Sequence, residues 1–480
     1  MNVLAIDQGT SSTKALVIDA DGRVLGEGQA PVSPRASADG TVLQDPLELE
    51  RSVILAGRTA LAAAGEAVSA IGLGNQGETV LRWDRDSGQP LGPAISWQDR
   101  RAAVITRELS EQAELLESLS GLPLDPYFAA PKMTLLAREG AGAGVITTID
   151  AWLTHRLTGA FVTDRATASR TMLMELAGGQ WSAEACAIFA LEVGALPEIV
   201  GNAQIVGETD AFGALLPVGG LIVDQQAALF AQSCHSTGEA KCTYGTGAFI
   251  LANAGPTAVH STSRLAACVA WDLGGATTYC LDGQTYTAGA AISWLSQIGL
   301  LIDASRLDDT CAPGPPRAQE PLFVPALAGL GAPYWAPHAR GGWVGLSLAT
   351  GAGDLVRAVL WGIAAQVAVL AGSVGQDLGR PLTRLRVDGG LSRSVRLLQA
   401  QADLLQVPVE RYPAPDATAI GVGAMARLAS DSALDPKRAV APWEPSAVFE
   451  PSISADQAAE HLADFEAAAE AVIGFGDRDR

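Results

Sequence analysis

The chain has 480 residues, enough for two or three domains at roughly 150 residues each. It carries 32 Lys and Arg against 52 Asp and Glu, a net charge of −20, and its basic residues come singly or in pairs such as Arg100-Arg101. A polyanion without a basic patch is excluded as a nucleic-acid or anionic-membrane binder, and a hydrophobic content of 48% excludes a disordered chain.

The opening MNVLAIDQGT lacks a basic, long-apolar leader and is not read as a signal peptide. Val3–Ile6 reads as a strand, residues 7–12 as a turn, and Lys14–Ile18 as a second strand. Asp21-Gly22 then marks a hairpin into a third strand over Arg23–Gln29. A helix is predicted from Asp45, with Pro46 at its first position and Glu48 three residues after the cap. Val68–Gly74 reads as a buried strand ending at Asn75-Gln76-Gly77-Glu78, Ala94–Trp97 as another strand, and Ile149–Leu157 as a helix stopped by Gly159. Asn202–Gly220 reads as a short loop before Asp224.

The pattern then restarts. Cys242–Tyr244, the turn Gly245-Thr246-Gly247 and Ala248–Asn253 repeat the strand–turn–strand unit, and Asp282-Gly283 reads as a hairpin. A helix is predicted over Ala290–Gly299, a strand over Thr383–Val387 ending in Asp388-Gly389-Gly390, a helix from near Ser392, and another over Asp416–Leu428. Ala358–Gly375 approaches membrane-span length but contains Gln366 and many small residues, so it is read as a buried core helix without stable membrane insertion. Ser454–Ala471 reads as a solvated amphipathic helix. The recurrence predicts a duplicated α/β lobe, residues 1–232 and 233–480, with a nucleotide held between two phosphate-gripping hairpins.

Six cysteines (186, 234, 242, 268, 280 and 311) show no CxxC spacing, and the five histidines show no i, i+4 pair. They predict reduced, buried thiols in a cytoplasmic protein rather than a zinc site or a disulfide framework.

Backbone phosphate binding needs glycine, because the chain must approach the anion without a Cβ. Gly9-Thr10-Ser11-Ser12 and Gly245-Thr246-Gly247 qualify, with hydroxyl donors at Thr10, Ser11 and Thr246 and a cation at Lys14. Asp7 ends an apolar strand just before the first turn, where a carboxylate suits Mg²⁺ held through water or, equally, caps the turn. Asp224 follows the apolar run Gly219–Val223, where it suits a base taking a proton from a substrate hydroxyl or a cap on the next helix. Glu78, Trp97 and Tyr127 offer the carboxylate and aromatic faces that a polyol pocket needs, though each also reads as a structural residue.

The stretches AIDQGTSSTKALVID, NQGETVLRWD, ISWQDRR, GLPLDPYF, TIDAWLTHRLTG, TDRATASRTML, DQQAALF, TYGTGAFILAN, AGAAISWL, FVPALAGLGAPYW, ARGGWVGL and RVDGG occur in order. On them the chain resembles the FGGY carbohydrate kinases from residue 3 to about 430. GLPLDPYF, WQDRR and GLGAPYW are similar to the glycerol kinase branch. The resemblance implies two ribonuclease H-like (actin-like ATPase) lobes around a central cleft, with ATP and Mg²⁺ as cofactors. It implies transfer of phosphate to a terminal hydroxyl of a small polyol or sugar, most simply glycerol to glycerol 3-phosphate. It implies Asp224 as catalytic base and Glu78, Trp97, Tyr127, Asp224, Gln225 and Phe249 as the polyol pocket. Thr10, Ser11 and Lys14 follow as phosphate contacts, Thr246, Gly289, Gly390 and Ser394 as further nucleotide contacts, and Asp7 as the Mg²⁺ anchor.

The chain departs from the family at several of these positions. Gly77 stands where the family has an Arg that bonds a glycerol hydroxyl, Lys14 where Arg is usual, Ser394 where Asn is usual, and Trp361 where an acidic residue is usual. A charged hydrogen bond is worth about 1.5–3 kcal/mol, so Gly77 also admits a larger polyol or a short ketose as acceptor. A polyol-independent actin-like ATPase and, on Gly77 and Ser394, a non-catalytic paralogue are the remaining alternatives, and homo-oligomerisation is left open.

Overall fold

The structure, a computed structural model, describes residues 1–37, 39–140, 144–317, 319–414 and 416–476. Two sheets of the same wiring organise it. In the first, Val3–Gln8 pairs antiparallel with Ser12–Ile18, which pairs antiparallel with Val24–Pro31. On its other side Val3–Gln8 pairs parallel with Ile71–Asn75, and that strand pairs parallel with Leu216–Val223. In the second, Ala240–Tyr244 pairs antiparallel with Ala248–Gly255, then Ala276–Thr285 and Ala266–Leu273 follow antiparallel. On its other side lie Leu385–Asp388 and Val409–Arg411, both parallel. Three antiparallel strands extended by two parallel ones occur in both sheets, with Ala266–Leu273 added outside the third antiparallel strand of the second, and this shared core is the ribonuclease H-like lobe of actin-like ATPases. A smaller five-stranded sheet, including Val80–Trp83, Ala94–Ile95 and Val145–Thr148, is inserted in the first lobe.

Local sequence explains the elements that frame the cleft. The Asp45 side chain accepts from Leu47 N at 3.0 Å and starts the Pro46–Ala64 helix, which packs on the first sheet through Leu49, Val53 and Ala56. Ser394 accepts from Leu397 N at 3.1 Å and starts the Val395–Leu405 helix. Ala352–Asp377 is a core helix of the second lobe, most of it buried, as its small and polar residues predict. Ala455–Gly476 is the amphipathic helix predicted near the end, with Phe465, Ala468 and Ala469 against that lobe and the rest largely exposed. All six cysteines are free and buried.

Two expectations are corrected. Asp282-Gly283 is not a hairpin turn but lies inside the Ala276–Thr285 strand. The turn is Gly274-Gly275, with φ of +63° and +88°. Asp282 is held in the strand by an ion pair with Arg170 of the other lobe. Gly283 is held by packing, since a Cβ there would lie 2.9 Å from Leu370 and 3.1 Å from Ile250. Asn202–Gly220 is not a plain loop either, because Ile205–Thr209 pairs antiparallel with Leu216–Gly219 at the sheet edge.

The lobes share a hydrophobic cluster in which Tyr127, Phe128 and Phe230 meet Leu251, Cys268 and Cys280. The Ala417–Ser430 helix, late in the chain, packs back on the first sheet and on the Asp224–Ala231 helix. Its Gly421 permits the approach: a Cβ there would lie 1.9 Å from Ala227 O.

Candidate active site

The site begins at the two Gly-Thr turns. Gly9 N donates to Ser12 O at 3.1 Å, closing the first turn, and Gly245 N donates to Gly247 O at 2.9 Å, closing the second. The second turn abuts the start of the Gly289–Gln297 helix, where Gly289 N donates to Gly245 O at 2.9 Å. A Cβ on Gly289 would lie 2.5 Å from that oxygen, so only glycine allows the contact. In front of the turn lies a cavity of about 680 Å³ whose lining includes Thr246, Gly289, Gly390 and Ser394, with Ser293, Asp308 and Arg393. All four residues expected on the nucleotide side of the second lobe therefore share one cavity. Ser394 Oγ donates to Asp308 Oδ1 at 2.5 Å, a partner the sequence did not single out.

Carboxylates collect near the first turn. Asp7 sits at the end of the central strand opposite Lys14. Its Oδ1 is buried without a hydrogen-bond partner. Burial, then the charges of Asp224 and Asp416, push its carboxyl up to about 8 against the pull of Lys14. Asp224 is the first residue of the helix that follows Leu216–Val223, and it accepts from Gln225 N at 2.6 Å. Burial raises its carboxyl to about 6, opposed by that hydrogen bond and by the charges of Lys241 and Arg170. Lys14 is shared between Asp416 at 2.7 Å and Glu27 at 2.9 Å rather than standing free. Ser11 is exposed on the first turn, and Thr10 Oγ1 accepts from Trp97 Nε1 at 2.8 Å.

Among the described residues no three His, Cys, Asp or Glu side chains converge to cage a metal. An unpartnered Asp7 oxygen amid further carboxylates fits instead a hard cation that keeps most of its ligands as water and phosphate, as Mg²⁺ does.

The expected polyol residues gather beside Asp224. Trp97 is edge-on to Tyr127 at 5.7 Å and to Phe249 at 6.4 Å, making an aromatic box from both lobes. Glu78 is buried and carries a left-handed φ of 42°. Burial raises its carboxyl to about 7, against the pull of Arg170. Gln225 accepts from Lys241 Nζ at 2.5 Å, and Lys241 also donates to Thr243 Oγ1 at 2.8 Å. Gly77 has φ +67°, a conformation strained for any side chain, and its N donates to Asn75 Oδ1 at 2.9 Å.

Arg170 organises this region and was not anticipated as a site residue. It is buried, its Nε donates to Glu78, its Nη1 to Asp282 at 2.7 Å, and its Nη2 to Tyr127 OH at 3.3 Å. It lies in the TDRATASRTML stretch quoted for the resemblance, but nothing local distinguishes it from Arg165 in the same stretch or signals its role. Lys132 was also missed. Its ammonium donates to the carbonyls of Pro126 at 3.0 Å, Phe128 at 2.6 Å and Tyr127, fixing the loop that presents Tyr127.

Comparison with known proteins agrees with this geometry. Residues 2–231 match the model of the FGGY family of carbohydrate kinases, N-terminal domain, and residues 240–430 its C-terminal domain. A glycerol kinase of Aromatoleum aromaticum is 38% identical, over 98% of this chain and 99% of that protein. A glycerol kinase of Myxococcus xanthus is 39% identical, over 98% of each. The crystal structure of Plasmodium falciparum glycerol kinase with ADP superposes with a TM-score of 0.90 at 30% identity, covering 98% of both chains.

Proposed function

We propose, from the premise that this chain belongs to the FGGY family of carbohydrate kinases and so transfers phosphate from ATP to an alcohol, that its acceptor is glycerol and its product glycerol 3-phosphate. The observation that carries the reading is Asp224. It opens a helix beside the aromatic box, with its carboxyl raised by burial yet kept ionisable near neutrality by Lys241 and Arg170.

In this reading ATP occupies the cavity lined by Thr246, Gly289, Gly390 and Ser394, with its phosphates directed toward Thr10 and Ser11. Lys14 contributes from behind the first turn, since its ammonium is already engaged by Asp416 and Glu27. Glycerol packs its carbons on Trp97, Tyr127 and Phe249, and its hydroxyls donate to Glu78 and Asp224 or pair with Gln225. Asp224 takes the proton of the terminal hydroxyl as its oxygen bonds to the γ-phosphorus, the bond from phosphorus to the bridging oxygen breaks, and ADP leaves. Asp7 would hold Mg²⁺ through water, and the ion when bound neutralises charge on the phosphate oxygens. The family matches support a lobe boundary between residues 231 and 240, near the expected 232/233 division. Six free cysteines support a cytoplasmic, reducing setting.

The test is glycerol-dependent ADP release by the purified protein with ATP and Mg²⁺, with the product identified as glycerol 3-phosphate by ³¹P NMR. ADP release indifferent to glycerol and to every other polyol tried would leave an actin-like ATPase and overturn the reading.

A further inference from the structure

The Ala240–Tyr244 strand presents alternate side chains to opposite sides of its sheet. Cys242 and Tyr244 are buried in the core of the second lobe. Lys241 and Thr243 take the other face, in register with Leu251 and Phe249, which lie in and against the cluster shared between the lobes. Lys241 is fully buried there, and among the described residues its ammonium forms no ion pair. It acts on Asp224 and Asp388 only through space, lowering both carboxyls against their burial. Its hydrogen bonds go to neutral oxygens, Gln225 Oε1 at 2.5 Å and Thr243 Oγ1 at 2.8 Å. A buried cation without a paired carboxylate costs stability, so what it holds in place is the question.

An amide side chain can turn either end toward a neighbour, but an ammonium only donates. Lys241 therefore fixes the Gln225 oxygen toward itself and the Nε2 group away. Gln225 is half-buried, one residue after Asp224, and its Nε2 has no hydrogen-bond partner among the described residues. Lys241 is fixed in turn from its other side. Thr243 Oγ1 accepts from the ammonium, so its own proton goes to Asp388 Oδ1 at 2.5 Å. Asp388 ends the Leu385–Asp388 strand, and Gly390 of the nucleotide cavity follows two residues on. A file of hydrogen bonds thus runs from Asp388 through Thr243 and Lys241 to Gln225, and leaves one N–H group open beside the base.

We propose that Lys241 is a positioning residue of the acceptor site, which turns the Gln225 amide so that its Nε2 donates to a hydroxyl oxygen of glycerol. The inference deepens the glycerol reading of this cleft and rests on it. Ionised Glu78 and Asp224 accept hydroxyl protons but offer none to the hydroxyl oxygens. Arg170, the guanidinium nearest them, is engaged by Glu78, Asp282 and Tyr127. The open N–H of Gln225 supplies a donor to complement the two carboxylates. Without Lys241 the amide is free to present its oxygen instead, which would face the lone pairs of the hydroxyl and bind it no better than water does.

The experiment measures ADP release by the intact protein with Mg²⁺ at pH 8.5, where Asp224, at about 6, stays ionised, varying glycerol and ATP in turn. In Lys241→Met the glycerol KM should rise at least about tenfold while the ATP KM stays within about threefold of wild type. A lysine that acts through Gln225 has little to lose once that amide is gone. Adding Lys241→Met to Gln225→Leu should therefore lower kcat/KM for glycerol by less than about threefold. An unchanged glycerol KM, an equal rise in the ATP KM, or the same loss in both backgrounds overturns the proposal and leaves the glycerol reading standing. Should Lys241→Met not fold, Gln225→Glu decides, since a carboxylate keeps the shape and pairs with Lys241 but cannot donate. A glycerol KM raised at least about tenfold in that variant supports the donor role, and an unchanged or lower one overturns it. The wild type alone tests the reading beneath: no turnover of glycerol overturns that reading and the proposal with it.

Discussion

Replacing Arg170 by Met tests whether one buried guanidinium sustains the acceptor site. The side chain is buried, and so are both of its carboxylate partners, Glu78 and Asp282. Removing one member of a buried ion pair leaves an uncompensated charge and costs about 3–5 kcal/mol. Here two carboxylates lose the same partner, so the upper part of that range is expected. The site suffers separately. Glu78 sits at about 7 even with Arg170 beside it, and without that cation its carboxyl rises further. At pH 7.5 Glu78 then becomes protonated and ceases to be a charged acceptor for a polyol hydroxyl. Losing a charge-assisted hydrogen bond worth about 1.5–3 kcal/mol raises the acceptor KM roughly 10–150-fold, at about 1.4 kcal/mol per tenfold. Urea unfolding at pH 7.5 reads the first effect, and the acceptor KM measured from pH 7 to 9 reads the second. In Arg170→Met the KM should fall back severalfold or more as pH rises and Glu78 ionises, whereas the wild type, whose Glu78 at about 7 is already about half ionised at pH 7, changes by no more than about twofold over that range. Stability within about 1 kcal/mol of wild type together with an unchanged KM would refute the reasoning.

Two further outcomes follow from the same geometry. Gly289→Val places a Cβ 2.5 Å from Gly245 O and forces the second Gly-Thr turn away from the nucleotide cavity. The KM for ATP should rise at least about tenfold with a much smaller change for the acceptor, and parallel steady-state titrations of the two substrates check this. His461, edge-on to Trp361 at 5.0 Å, is pushed by burial from 6.5 down to about 4. Between those values the unfolded chain binds a proton that the folded chain refuses, so stability falls as pH drops through the window, by about 1.4 kcal/mol per unit. Urea midpoints at pH 7 and pH 5 should show wild type losing about 1–2 kcal/mol more than His461→Gln. Equal losses would contradict it.

Much of this fold is legible in the sequence because its signals are local. The two Gly-Thr turns lie between short apolar runs, and each run is a strand bounded by residues that can turn. The repeat of that unit, its Gly-Thr pair 236 residues later, is what revealed two lobes. Thr246 was legible for the same reason, in its glycine-bearing turn, whereas Gly289, Gly390 and Ser394 were expected only from the family resemblance; the structure brings all four to one cavity. What failed was tertiary. Asp282-Gly283 has the composition of a turn, yet an arginine 112 positions earlier holds the Asp in mid-strand. Arg170 itself carries no local pattern, and its role depends on Glu78, Asp282 and Tyr127 arriving from three other segments. Lys14 reads as a phosphate contact beside the first turn, but the partner that engages it, Asp416, comes from the far end of the chain in a left-handed conformation.

The most direct test of the account is Asp224→Asn, a substitution that keeps shape and removes the proton acceptor. General-base assistance is typically worth about 10²–10⁴-fold, so kcat should fall by that factor while the affinity for ATP, measured by calorimetry, stays within about threefold of wild type. A variant with near-normal kcat would show that the proton goes elsewhere and that Asp224 merely starts its helix.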